Sequence, residues 1–122
     1  MTEMEAIYTF FSGFGLPAYP ETAVPPDAAL PYLTFESKES WFGDGPVSLG
    51  VYLWYYTPAQ ELPSAKALEI GRALDRGGVL LPCDGGAIWL QRGTPWCLSR
   101  QSQKEPRLQQ RVLNVTAEFL VI

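Results

Sequence analysis

Few side chains in this sequence are equipped for catalysis. The 122 residues include no histidine, which removes the group that most often moves protons near neutral pH and the commonest metal ligand. Triads built on Ser/His/Asp or Cys/His are thereby excluded. Carboxylates can work in pairs without histidine, and Glu36, Glu39 and Asp44 lie close together beside Trp41, an association that recurs in sugar sites. The simpler reading of the same residues is a solvated hairpin end with an aromatic plug. Cys83 and Cys97 lack the spacing of a zinc knuckle or a redox C-x-x-C pair, so they are expected as reduced thiols in or near the core. Gly43-Asp44-Gly45, Gly77-Gly78 and Gly85-Gly86 lack the spacing of a phosphate-cradling loop and read as turns. No catalytic, cofactor-binding or metal-ligating residue is assigned, and the chain is not expected to be an enzyme.

What remains is shape, charge and aromatic surface. At 122 residues with 47% hydrophobic and 18% charged, residues 1–122 are expected to form a single domain with an ample core. No apolar run approaches the ~20 residues that span a bilayer, and the acidic, helix-like start is unlike a secretory signal. A cytoplasmic protein without a membrane partner is expected. The net charge of -4 argues against nucleic acid as the main partner, since phosphate binding needs a concentrated basic surface. Its distribution is uneven: residues 1–65 carry -7 and residues 66–122 carry +3. That split is either ordinary solvated surface or the opposed flanks of a protein that meets its own copies head to tail.

The elements that would carry these residues follow from spacing. Thr2 and Glu5 make a capping box, and Met4, Ile7, Tyr8 and Phe11 recur at helical intervals up to Gly13. Residues 14–30 hold Pro17, Pro20, Pro25 and Pro26 and are expected to run extended over the surface without regular structure. Residues 31–37 alternate as a strand. In residues 47–56, Val47, Leu49, Val51, Leu53 and Tyr55 face one way and Tyr52, Trp54 and Tyr56 the other, so both faces are apolar and both are expected to be covered, by helices or by a neighbouring subunit. A second helix is expected to begin at Pro63 and end at Gly77-Gly78. Strands at 79–83, 87–92 and 95–100, a polar loop at 101–107 and a final strand at 112–122 complete the chain. Leu113, Val115, Ala117, Phe119 and Val121 supply the core face of that last strand. The order α-β-β-α-β-β-β-β with short connections predicts an α+β domain, one mostly antiparallel sheet with two helices packed on one face.

Four tryptophans, six tyrosines and six phenylalanines either fill a sheet-helix core or in part form a subunit interface. Tyrosine and tryptophan are enriched at interfaces, where large anchors carry most of the energy. Tyr19, Trp41, Phe42, Tyr52, Trp54 and Tyr56 are therefore candidate interface residues, with Lys104, Arg107 and Arg111 as a basic flank. Candidate contact segments are residues 14–30, the Trp41-Phe42 loop and residues 101–107.

A particular residue pattern runs through the chain. A short N-terminal helix leads to a proline-rich stretch around Tyr19-Pro20 and then to Leu30-Pro31-Tyr32-Leu33-Thr34-Phe35. An aromatic strand ending Leu53-Trp54-Tyr55-Tyr56-Thr57 and a terminal strand from Arg111 to Phe119 follow. The whole resembles the small tail-terminator, tail-completion and head-tail joining proteins of long-tailed bacteriophages and prophages. The resemblance implies a virion structural protein with no cofactor, made in the bacterial cytoplasm and then built into the virion. It implies self-association into a ring, commonly hexameric, that contacts the major tail tube protein and the head or neck connector proteins. A stand-alone α+β module that binds a ligand or a protein is the alternative.

Overall fold

Helix α1 (Glu3–Phe11) begins where the T-x-x-E box puts it. The Thr2 hydroxyl accepts from the Glu5 N–H at 3.1 Å, and the Glu5 carboxylate accepts from the Thr2 N–H at 2.9 Å, so two of the orphan donors at the helix start are satisfied reciprocally. The computed structural model describes residues 1–36 and 45–121. After α1 come a 3-10 turn (Ser12–Phe14), strands β1 (Ala18–Pro20), β2 (Tyr32–Phe35) and β3 (Val47–Tyr56), helix α2 (Glu61–Leu74), and strands β4 (Val79–Cys83), β5 (Gly86–Gln101) and β6 (Leu108–Val121).

The capping bonds hold the Glu5 carboxyl below its ordinary pKa. A depressed carboxyl contributes stability that is present above its unfolded pKa and is lost as pH falls through its folded value. Helical circular dichroism should therefore decline on acidification through the low end of the carboxylate range, and Glu5→Gln should remove that part of the decline. An identical acid profile in the two proteins would show that the ionised Glu5 carboxylate adds nothing to the box.

The six strands form one sheet in the order β1-β2-β3-β6-β5-β4. Among the described residues only β1 and β2 pair in parallel, and the other pairs are antiparallel. At the centre β3 and β6 run side by side from Val47↔Ala117 to Tyr56↔Leu108. One face of this sheet is the core. Leu33, Phe35, Leu49, Val51, Leu53, Ile88, Leu90, Leu113, Val115 and Ala117 are buried there beneath Ile7 and Phe11 of α1 and Ala67, Ile70 and Leu74 of α2. The Phe11 and Phe35 rings stack with centroids 6.1 Å apart. Lys66 of α2 donates to the Phe14 carbonyl at 2.6 Å, which fastens the second helix to the turn that ends the first. The architecture is α+β, with both helices on one face.

Four local expectations change. Residues 14–30 are not wholly irregular: Ala18–Pro20 pair in parallel with β2, with Leu33 N–H bonded to the Pro17 carbonyl and Glu21 N–H to the Phe35 carbonyl. Helix α2 starts at Glu61, two residues ahead of Pro63, because a proline in the first turn removes only an N–H that has no helical partner. The expected strands at 87–92 and 95–100 are one strand, broken only by a register shift between Arg92 and Cys97 that accommodates Pro95. Val121 is 79% exposed, since the core face of β6 runs out before it.

Candidate interaction surface

Among the described residues no helix lies over the second face of the sheet. Strand pairing places Tyr19, Thr34, Tyr52, Val112 and Leu98 in one row across five strands, and Tyr32, Trp54, Gln110 and Arg100 in the next. Alternation along each strand dictates this, since neighbours of these residues in sequence, among them Ala18, Leu33, Leu53 and Leu113, lie in the core. Among the described residues nothing supplies the covering expected on this side of β3, and Tyr19, Tyr32, Tyr52 and Trp54 are half-buried.

The aromatic row is fixed by its own contacts. Tyr19 meets Tyr32 edge-on at 5.8 Å between centroids, and Tyr32 lies 6.5 Å from Trp54. The Trp54 indole N–H donates to Thr34 Oγ1 at 2.9 Å, which sets the ring's orientation on the sheet. Tyr32, Thr34, Tyr52, Trp54 and Gln110 form the wall of a shallow hollow of about 260 Å³ that Glu21 and Val24 close on one side. A second hollow of about 210 Å³, reaching Arg100 and Leu108, shares Trp54 and Gln110 with it. Trp54 is thus the ridge between them.

Beside this row, Gly50 makes room for a polar corner. The Glu36 carboxylate accepts from the Gly50 N–H at 2.5 Å, and a Cβ at Gly50 would fall 2.8 Å from both Glu36 Oε1 and Tyr52 Oη. Burial, and then the charges of Glu36 and Glu21, push the Tyr52 phenol above its ordinary pKa. The phenol therefore stays protonated and available as a donor well into alkaline pH. Glu39, Asp44, Trp41 and Phe42, singled out in the sequence, lie outside the described residues.

The other expected interface residues divide. Tyr56, 51% exposed, donates from its hydroxyl to Glu105 Oε2 at 3.2 Å. Lys104 and Arg107 are exposed in the turn between β5 and β6, a turn held by Gln101 Nε2 bonding the Pro106 carbonyl at 2.7 Å. Arg111 does not join them. It is 3% exposed on the helix-covered face, where its guanidinium reaches Ser64 Oγ at 3.2 Å and the Gln60 carbonyl at 3.3 Å. Its position two residues before Leu113 in an alternating strand carried that signal.

Tyr32, Thr34, Gln110, Leu98 and Arg100 belong to the open face but were not singled out, because membership depends on which strands pair and in what register. Cys83 and Cys97 are free thiols, and burial pushes both above the ordinary thiol pKa, which disfavours the nucleophilic thiolate. Among the described residues no cluster of three or more Cys, Asp or Glu side chains is arranged to hold a metal ion, and no helix is long and apolar enough to cross a membrane. No protein-family model, curated protein or solved structure matches the chain.

Proposed function

We propose that this chain is a phage or prophage virion structural protein, a tail terminator or head-tail joining protein that assembles as a ring at the end of the tail tube. The observation that carries the reading is the open face: one side of the sheet is sealed by helices, while the other presents an ordered aromatic row around Trp54. Such a face is suited to a second protein surface, which would complete the burial that the described residues leave unfinished. By the resemblance to tail-terminator and joining proteins, the partners of that surface would be the major tail tube protein on one side and head or neck connector proteins on the other. The chain would act by geometry, with one face complementary to the last tube ring and the opposite side unable to accept another. It would be made in the host cytoplasm and end in the virion.

The test is binding to tubes polymerised from a major tail protein, followed by co-sedimentation and negative-stain microscopy. Wild-type chain should cap tube ends as a ring. Trp54→Ala should weaken capping at least tenfold, about 1.4 kcal/mol or more, while its far-ultraviolet circular dichroism stays native. A chain that neither self-associates nor binds tubes would overturn the proposal. The second reading, a stand-alone binding module, draws on the 260 Å³ hollow beside Trp54, and would then be the one to pursue.

A further inference from the structure

We infer that neighbouring copies of this chain meet through a basic hollow on one flank and the acidic segment after β1 on the other. The inference rests on the ring reading and names the contact that would close the ring. The hollow, about 350 Å³, lies between the end of α2 and the irregular stretch of β5, and is lined by Arg76, Arg92, Gly93, Thr94 and Trp96. Its walls are held in place by the fold. Trp89 Nε1 donates to the Gly77 carbonyl at 2.7 Å, which ties the segment after Arg76 to β5. The Trp96 indole packs so tightly on Gly71 of α2 that a Cβ there would lie 3.0 Å from Nε1.

Arg76 and Arg92 are both exposed, and among the described residues neither makes an ion pair or a side-chain hydrogen bond. Asp75, next to Arg76 in sequence, does not pair with it. The carbonyl end of α2 eases the repulsion between two guanidiniums but offers only partial charges. A carboxylate neutralises them fully, and the planar fork of arginine receives it through paired N–H donors. The site is therefore built for a carboxylate.

The strand order identifies the donor. It places β1, β2 and β3, all from the acidic half of the sequence, on one side of the sheet, and β6, β5 and β4, all from the basic half, on the other. The helices do not follow this division, since the Met1 amino group pairs with Asp84 at 2.7 Å and brings the start of α1 beside β4; the acidic edge is carried by the segment after β1. Glu21 and Asp27 follow β1 at the outer edge, both exposed and, among the described residues, without an ion pair. Strand addition is blunted at both edges, because β1 is only three residues long and contains Pro20 while β4 contains Pro82. What remains between flanks is side-chain contact, acidic segment into basic hollow, repeated head to tail until the rotation closes.

The experiment is a charge exchange. One variant carries Arg76→Glu and Arg92→Glu; the other carries Glu21→Arg and Asp27→Arg. All four positions are exposed, so both variants should keep the native circular dichroism spectrum. Each alone should lose ring assembly by about 100-fold in concentration, read by native mass spectrometry and sedimentation velocity. Mixed in equal amounts they regain complementary contacts at every junction, and assemblies should return with the two variants in alternation. If wild type forms rings and either variant alone assembles as well as it does, or the mixture fails to recover, this contact is wrong while the ring reading stands. If wild type forms no ring, with or without tubes, both are wrong.

Discussion

Replacing Arg111 with alanine should lower the unfolding free energy by about 3 kcal/mol. The guanidinium is buried at 3% exposure and faces neutral acceptors: Ser64 Oγ and the Gln60 carbonyl from the first turn of α2, the Gln110 carbonyl at 3.2 Å, and Gln109 Oε1 at 3.4 Å. These bonds are long, so no single one accounts for the loss. Truncation removes all of them together with the stem packed under α2. It also loosens Gln109, whose amide donates to the Thr57 carbonyl at 2.8 Å ahead of the helix. Arg111→Met keeps the stem and dispenses with a buried cation that has no carboxylate partner, so its cost should be nearer 1 kcal/mol. Urea unfolding measures both. An alanine variant within about 0.5 kcal/mol of wild type would mean the side chain does not fasten α2 to β6. Charge reversal at this position would leave a carboxylate facing carbonyl oxygens and should prevent folding. Loss of assembly in an Arg111→Glu protein would therefore report on the fold, whereas Arg107→Glu, at an exposed turn, reports on the surface.

Arg111 also shows where reading the sequence succeeds and where it stops. Alternation in β3 and β6 was legible and defines the core face, because the period of two is set by the strand itself. The same alternation puts Arg111 in phase with Leu113 and Val115, but its charge drew it to the surface in a reading that weighed residue type over phase. Strand β1 was not legible, since three residues among prolines have no pattern of their own and become a strand only through Phe35 and Leu33 of β2. The single long β5 was hidden by Pro95, which reads as a break locally but is tolerated where the register shifts against β6. The aromatic row was half legible: Tyr19, Tyr52 and Trp54 stood out by type, while Tyr32 and Arg100 join them only through pairing. The basic hollow was not legible at all, because it needs the end of a helix and a strand irregularity brought together in space.

The turn that builds that hollow should be among the least tolerant places in the chain. At Gly78, φ is +79° and a Cβ would lie 2.3 Å from the Leu90 carbonyl oxygen and 2.8 Å from Trp89 Nε1. Alanine there is strained by its backbone conformation and blocked by backbone atoms that cannot rotate away, so about 3 kcal/mol or more of stability should be lost. Relief requires β4 to move off β5, which breaks the bond from Trp89 to the Gly77 carbonyl and pulls Arg76 from its place beside Arg92. Gly77 is the matched control. A Cβ there meets nothing within 4 Å, so Gly77→Ala should change stability by no more than about 1 kcal/mol and can raise it by restricting the unfolded chain. Thermal unfolding of the pair separates steric exclusion from a general need for flexibility in the turn. Equal losses in both variants would indicate flexibility, and the account of Gly78 as a point of close approach would fail. A large loss at Gly78 alone would tie the hollow's geometry to the hairpin, and ring assembly by that variant, measured below its melting point, should weaken along with it.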